Sequence, residues 1–248
     1  MISANLAHKR IAVTGSTGFL GTALVERLLR CVPDCELVLL VRPGRRGADD
    51  RVRREVLKND CFDRLRRELG GQAPFDAMTA RRVRGLAGDV SVDGLALDDE
   101  GRTLLASCDL VIHSAATVSF DSPLDTAVEV NLLGPVRVAL ELQRLGVAPH
   151  LVAVSTCYVA GSRRGEAPEE LVEDSPFFVD VDWRREVDAA RRARQDAEAR
   201  SRSPEKLTDF RARARHELGA AGTPLLAEKT ESLRVQWVTD QMVEAGRS

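Results

Sequence analysis

Short apolar runs separated by polar, helix-periodic stretches occupy the chain up to about residue 155, after which the pattern changes. Residues 10–14 read as a short buried strand, and 37–41 are a continuous apolar run of strand length. Between them Leu20, Leu24, Val25 and Leu28 recur at helical spacing, which predicts a helix over 18–30. A charged helix is expected over 49–69, then a turn through Gly70, Gly71 and Pro74, then a weaker strand over 82–87. Residues 110–113 read as a fourth strand, 123–145 as mostly helix with an irregular start, and 151–155 as a fifth strand. Strands alternating with helices predict a parallel, doubly wound sheet. Right-handed crossovers then place the loops after the strands along one edge, where ligands bind.

Beyond about residue 165 the strand-like runs stop. Residues 183–246 are rich in Ala, Arg and Glu, with few β-branched residues before Val235. Helices are predicted there, interrupted near Ser203-Pro204 and between Gly219 and Pro224. Asp188 with Arg191 and Arg192 is an oppositely charged group at helical spacing, which suits a solvated face. The predicted class is therefore α/β: a Rossmann-type doubly wound parallel sheet with an Arg/Ala-rich helical C-terminal extension. The expected division is a nucleotide-binding domain over 1–165 and the extension over 166–248.

Composition narrows the function classes. A hydrophobic share of 44% in 248 residues is enough for a packed core. Arginines crowd 42–84 and 184–215, but acidic residues are interleaved and the net charge is −2. No aromatic platform accompanies them, so a nucleic-acid partner is not expected. The five cysteines are irregularly spaced and no His cluster completes a metal site, which predicts reduced thiols, with Cys157 in the core. The N-terminal residues lack a secretory apolar run, and no transmembrane segment is expected, because none approaches about 18 apolar residues. A cytoplasmic protein is the resulting expectation.

The chemistry begins at Gly15-Ser16-Thr17-Gly18-Phe19-Leu20-Gly21, between the first strand and the first long helix. Gly15 permits a tight turn, Gly18 lets the backbone approach a pyrophosphate, and Gly21 lets the helix pack closely on the sheet. The helix N-terminus adds N–H groups and a positive dipole end. The spacing in this strand–turn–helix context predicts dinucleotide binding. At the end of the second strand a carboxylate would favour NAD, but this chain has Arg42, whose guanidinium matches a 2′-phosphate and favours NADPH. Arg45 and Arg46 read as solvated, and Arg51 is a second candidate for the same phosphate. Asp89, followed by Val90, stands where a carboxylate can accept from the adenine amino group. Ala115, Ala116 and Thr117 are small residues that let the ribose and phosphates lie against the backbone. His113 has no neighbouring second ligand and is not expected to hold a metal, while Asn131 either braces the sheet or faces solvent. After the fifth strand, Thr156 is the candidate catalytic hydroxyl, placed to donate to a substrate carbonyl, with Ser155 beside the cofactor. The alternative is a Ser-Thr pair that merely caps a strand.

Together these segments resemble the fatty acyl-CoA reductases, a branch of the extended short-chain dehydrogenase/reductases, and are similar to the thioester-reductase domains of carboxylic acid reductases. The resemblance rests on residues 14–21, 39–43, 62–65, 88–90, 113–121, 131–134 and 154–159, and covers about 9–165. The arginine-rich region resembles an insertion of some bacterial members. The resemblance implies NADPH-dependent reduction of a long-chain acyl thioester. Hydride adds to the carbonyl, the hemithioacetal loses CoA, and the aldehyde is released or reduced again to an alcohol. It also implies a Ser or Thr after the fifth strand, matching Thr156, and a Tyr-x-x-x-Lys pair that protonates the oxyanion. That pair is absent: the single tyrosine, Tyr158, has Ser162 four positions later. The expectation is a truncated form or fragment whose substrate portion is missing, and whether this chain is itself an enzyme stays open. The alternatives are a non-catalytic NADPH-binding module, or another extended short-chain dehydrogenase such as a nucleotide-sugar epimerase or dehydratase.

Overall fold

The computed structural model describes residues 2–119, 121–159, 164–176, 178–219 and 224–247. The chain forms two compact units: Met1–Ala116 with Glu129–Cys157, and Thr117–Val128 with Tyr158–Ser248.

In the first unit a short helix α1 (Ile2–Leu6) precedes β1 (Arg10–Thr14), α2 (Phe19–Cys31) and β2 (Glu36–Val41). Next come α3 (Ala48–Arg51), α4 (Asp63–Glu68), α5 (Gln72–Arg82), β3 (Val83–Ala87), α6 (Asp99–Ala106) and β4 (Leu110–His113). After α7 (Leu124–Ala127), which belongs to the second unit, come α8 (Leu133–Arg144) and β5 (His150–Ala153). The strands form one parallel five-stranded sheet in the order β3-β2-β1-β4-β5, a Rossmann-type arrangement. β1 lies where the strand order reverses, with β2 on one side and β4 on the other. The crevice outside their carboxyl ends is therefore the topological switch point.

The apolar runs of β1, β2 and β4 are continuous because both faces of the sheet are covered. Ile11, Val13, Leu37, Leu39, Leu110 and Ile112 face one core with Val25, Leu28 and Phe75. Ala12, Val38, Leu40 and Val111 face the other with Leu86, Leu95, Leu105 and Val138. Alternation of Cβ direction along each strand produces the division. β5 departs from this pattern: each of its residues is exposed.

Two expectations need correction. The charged stretch 49–69 is not one helix. α3 runs into a π turn (Val52–Val56), and a 3-10 turn (Asp60–Phe62) separates that from α4. Asn59 causes the break, since its side chain accepts from the Cys61 N–H at 2.9 Å and competes with helical bonding. The segment with Pro74 is not a turn but the first turn of α5, where a missing N–H costs nothing. At the far end of α5, Arg82 donates to the carbonyls of Leu29, Val32 and Cys35 at 3.0, 2.7 and 2.8 Å. It thereby satisfies carbonyls around the C-terminus of α2 that the helix itself leaves open.

The second unit is helical. α9 (Trp183–Ser201) starts on Asp182, which accepts from the N–H groups of Arg184 and Arg185, and α10 (Pro204–Leu218) starts on Ser203 with Pro204 in its first turn. α11 (Leu226–Ala245) packs Val238 and Met242 against Ala197 of α9, and Trp237 against Phe210 of α10. Buried Arg234 holds this arrangement, donating to Glu198 at 2.6 Å, Ser201 at 2.9 Å and Glu231 at 2.7 Å. Arg194 donates to Asp125, tying residues 117–128 to the helices of their own unit. Among the described residues no helix is long and apolar enough to cross a membrane.

Candidate functional site

Gly15 comes directly after the last residue of β1 with φ at +74°, a conformation that side chains with a Cβ rarely adopt. A Cβ there would stand 2.6 Å from the Ala115 nitrogen and from the Ser114 carbonyl group. The turn after β1 thus runs directly against the turn after β4. At Gly21 a Cβ would overlap the Gly15 carbonyl group. The loop is closed by the Gly18 N–H donating to the Gly15 carbonyl at 3.0 Å. Thr22 locks it from below, its hydroxyl reaching the carbonyls of Ser16 and Gly18 at 2.8 Å each.

The loop presents unsatisfied donors. Gly18 is the N-cap of α2 and offers no side-chain cap, so N–H groups of the first turn point out of the helix without a carbonyl. Thr17, Gly18, Phe19 and Leu20 are exposed, Phe19 almost completely at 95%. Ser16 is fully buried, and its Oγ has no hydrogen-bond partner among the described residues. A cradle with no room for a Cβ at Gly15 or Gly21, roofed by a helix N-terminus, fits a pyrophosphate by shape and by charge.

Beneath the cradle lies a polar pair that sequence reasoning missed. Thr14 Oγ1 and His113 Nδ1 are 2.9 Å apart, both buried, at adjoining carboxyl ends of β1 and β4. The Ala115 N–H donates to the same threonine oxygen at 3.2 Å, and the Ser114 hydroxyl donates to the Thr14 carbonyl at 2.8 Å. Burial holds the His113 imidazole below its usual pKa, so it is the neutral ring that joins the two turns. Only the strand pairing of Thr14 with His113 creates this contact, and nothing local in the sequence signals it.

The remaining candidates lie along the same sheet edge or next to it in sequence. Arg42 comes after β2 and is exposed. Arg51 is engaged elsewhere, donating to the Arg42 carbonyl at 2.7 Å and to Glu55 at 2.8 Å, so it braces the Arg42 loop. Asp89 comes after β3, and its Oδ1 accepts from the Ser91 N–H and hydroxyl at 2.9 and 2.7 Å. Val90 is buried in the second core. Ala115 is half-buried and Ala116 exposed. Thr117 belongs to the second unit, where its hydroxyl pairs with Ser122 at 2.7 Å. Ser155 and Thr156 are exposed beyond β5, and the Val154 N–H still holds the His113 carbonyl at 2.8 Å. Asn131 is exposed in the π turn Val128–Leu132 that leads into α8.

The cysteines form no site. Cys157 is exposed, not in the core as expected, because β5 and the residues after it are uncovered. Burial pushes the Cys108 thiol up to about 12, and burial also raises Cys35 despite the Arg82 guanidinium beside it. Among the described residues no group of His, Cys, Asp or Glu could hold a metal ion.

An NAD-binding family model described as Male sterility protein matches residues 13–217. Fatty acyl-CoA reductase 8 of Arabidopsis thaliana is 32% identical over 192 residues, which are 73% of this chain and 38% of the relative. Fatty acyl-CoA reductase 1 of the same plant is 32% identical over 176 residues, covering 69% of this chain and 35% of its own length. The chain thus spans well under half of these relatives. Among solved structures, the terminal R domain from the myxalamid PKS-NRPS pathway is 27% identical with a TM-score of 0.48, over 65% of this chain and 38% of that one.

Proposed function

The chain belongs to the NAD-binding family described as male sterility protein, and on that premise we propose that it carries the cofactor site of an NADPH-dependent reductase. The proposed substrate is a long-chain fatty acyl-CoA thioester, and the product a fatty aldehyde or alcohol. One observation carries the reading: the Gly15–Gly21 cradle has no room for a Cβ at Gly15 or Gly21 and abuts Ala115 at the switch point of the sheet. The fatty acyl-CoA reductases among its relatives support the choice of substrate.

In this reading the backbone of residues 15–21, with Ser16 and Thr17 in the turn and Phe19 and Leu20 in the first helical turn, holds the pyrophosphate. Arg42 receives the 2′-phosphate, its loop braced by Arg51. Asp89 and Val90 bind the adenine end. Ala115 and Ala116, with Thr117 next in sequence, leave room for the ribose. Ser155 lies toward the nicotinamide, and the Thr156 hydroxyl donates to the thioester carbonyl oxygen as negative charge develops there. The bound nicotinamide supplies the hydride. We place the reaction in the cytoplasm, a setting consistent with free thiols at Cys31, Cys35, Cys61, Cys108 and Cys157.

A second reading, a cofactor-binding module without turnover, is favoured by Tyr158, which is 79% exposed and has Ser162, not a lysine, four positions later. Incubation with NADPH and palmitoyl-CoA, with NADPH absorbance and product analysis as readouts, separates the two. Turnover that falls in Thr156→Ala supports the reductase. Saturable NADPH binding without turnover supports the module, and no binding defeats both.

A further inference from the structure

We infer that Arg137 is a positioning residue for the adenine end of the cofactor site, acting through Asp93 and the turn that holds the Asp89 backbone. The inference rests on the proposed role of Asp89 at the adenine amino group.

Arg137 lies one turn into α8 and is 7% exposed. Its Nη1 donates to the Glu129 carbonyl at 2.8 Å and its Nη2 to the Glu129 carboxylate. Its Nε reaches across to Asp93 Oδ1 at 2.7 Å. The Asp93 side chain is itself 84% exposed, so the guanidinium reaches from the buried side of the cluster to a carboxylate at the surface. The backbone immediately after Asp93 is unusual. Gly94, Leu95 and Ala96 adopt φ values of +66°, +55° and +52°, a left-handed turn built partly from residues that avoid that region. Such a run persists only when its surroundings over-determine it.

Buried packing and backbone hydrogen bonds supply that constraint. The Leu95 side chain is 1% exposed in the second core, and its N–H donates to the Val92 carbonyl at 3.0 Å. The Leu95 carbonyl in turn accepts the Asp89 N–H at 2.8 Å, and it lies so near Gly88 that a Cβ there would be 2.9 Å from it. Relaxing the turn to right-handed geometry would swing this carbonyl away from Asp89. The Asp89 carboxylate is bonded to Ser91, within the same loop, so its direction tracks the loop backbone. Arg137 anchors the start of the turn, buried Leu95 anchors its middle, and Asp89 is the residue that the pair orients.

The test compares NADPH with its hypoxanthine analogue, in which an oxygen replaces the adenine amino group, by fluorescence titration of the full chain. A charge-assisted hydrogen bond from that amino group to Asp89 predicts about a tenfold preference for NADPH in the wild type. Arg137→Met is expected to cut the preference to about threefold or less, with binding of the hypoxanthine analogue changed by under about twofold. Arg137→Lys, which keeps the charge, should restore part of it. Asp93→Asn, which leaves Arg137 on Glu129, should shift the preference in the same direction and decides the matter if Arg137→Met fails to fold. Folded variants that keep the wild-type preference, or that weaken both cofactors equally, overturn the inference alone. A wild type that binds neither cofactor, or binds both equally, overturns the proposed role of Asp89 and this inference with it.

Discussion

Replacing Gly15 by alanine puts a methyl group where the turns after β1 and β4 meet. The new Cβ would sit 2.6 Å from the Ala115 nitrogen and from the Ser114 carbonyl carbon and oxygen, all backbone atoms in a half-buried position. Holding alanine at φ +74° costs about 1–2 kcal/mol. Separating the two turns to admit the methyl costs about 1–3 kcal/mol. The reduced freedom of the unfolded chain returns about 0.4–1 kcal/mol. The net loss is about 1–4.5 kcal/mol, which at about 2–4 °C per kcal/mol for a unit this size is a fall of several degrees in the melting temperature. Because the shift opens the cradle, NADPH affinity should fall with it. Gly18→Ala is the comparator. Gly18 is exposed with φ at −85°, and a Cβ would meet only the Gly15 carbonyl oxygen at 3.3 Å. Its melting temperature should stay within about 2 °C of wild type, while its methyl, on the helix N-terminus, still weakens binding. Thermal unfolding and cofactor titration of both variants check this. A Gly15→Ala protein with wild-type melting and wild-type affinity would refute the reasoning.

Three further outcomes concern side chains rather than glycines. His113 has a folded pKa below its ordinary 6.5 through burial, so the unfolded chain binds the extra proton. Its contribution is complete above pH 6.5 and is lost as the pH falls from there toward the folded value, so His113→Gln should flatten the acid side of a melting-temperature profile. Arg234→Met removes the buried cation between Glu198, Ser201 and Glu231 and should destabilise the helical unit by about 2 kcal/mol, allowing for its exposed partners; limited proteolysis within α9–α11 reads it out. Alkylation of the native protein near pH 8, with mass mapping of the products, should modify exposed Cys157 and spare Cys108, whose thiol is held at about 12.

The central strands were legible because burial on both faces leaves an uninterrupted apolar signature. β1 and β4 begin and end at the residues read as strands, Arg10–Thr14 and Leu110–His113. β5 is less sharp, running from His150 to Ala153 and not to Ser155, since an exposed strand has no strict pattern to hold. The breaks between α3 and α4 were hidden in the charged stretch, where Asn59 redirects the backbone. α6 was also missed: Gly101 lowers its helical character, yet Asp98 accepts from the Gly101 N–H at 2.8 Å and starts the helix. The cradle glycines could be read from spacing because each acts on its immediate neighbours. Thr14 with His113, Arg82 on the α2 carbonyls, and Arg137 on Asp93 could not, because each depends on residues 44 or more positions apart that only the folded sheet brings together.

The proposed function depends most directly on the cradle holding NADPH, with Arg42 choosing the cofactor. Titration of the wild type and of Arg42→Ala with NADPH and with NADH tests it. The wild type should bind NADPH saturably and about tenfold or more tighter than NADH, and Arg42→Ala should lose most of that difference while NADH binding holds. No saturable binding of either cofactor, or a preference that survives the loss of Arg42, would contradict it.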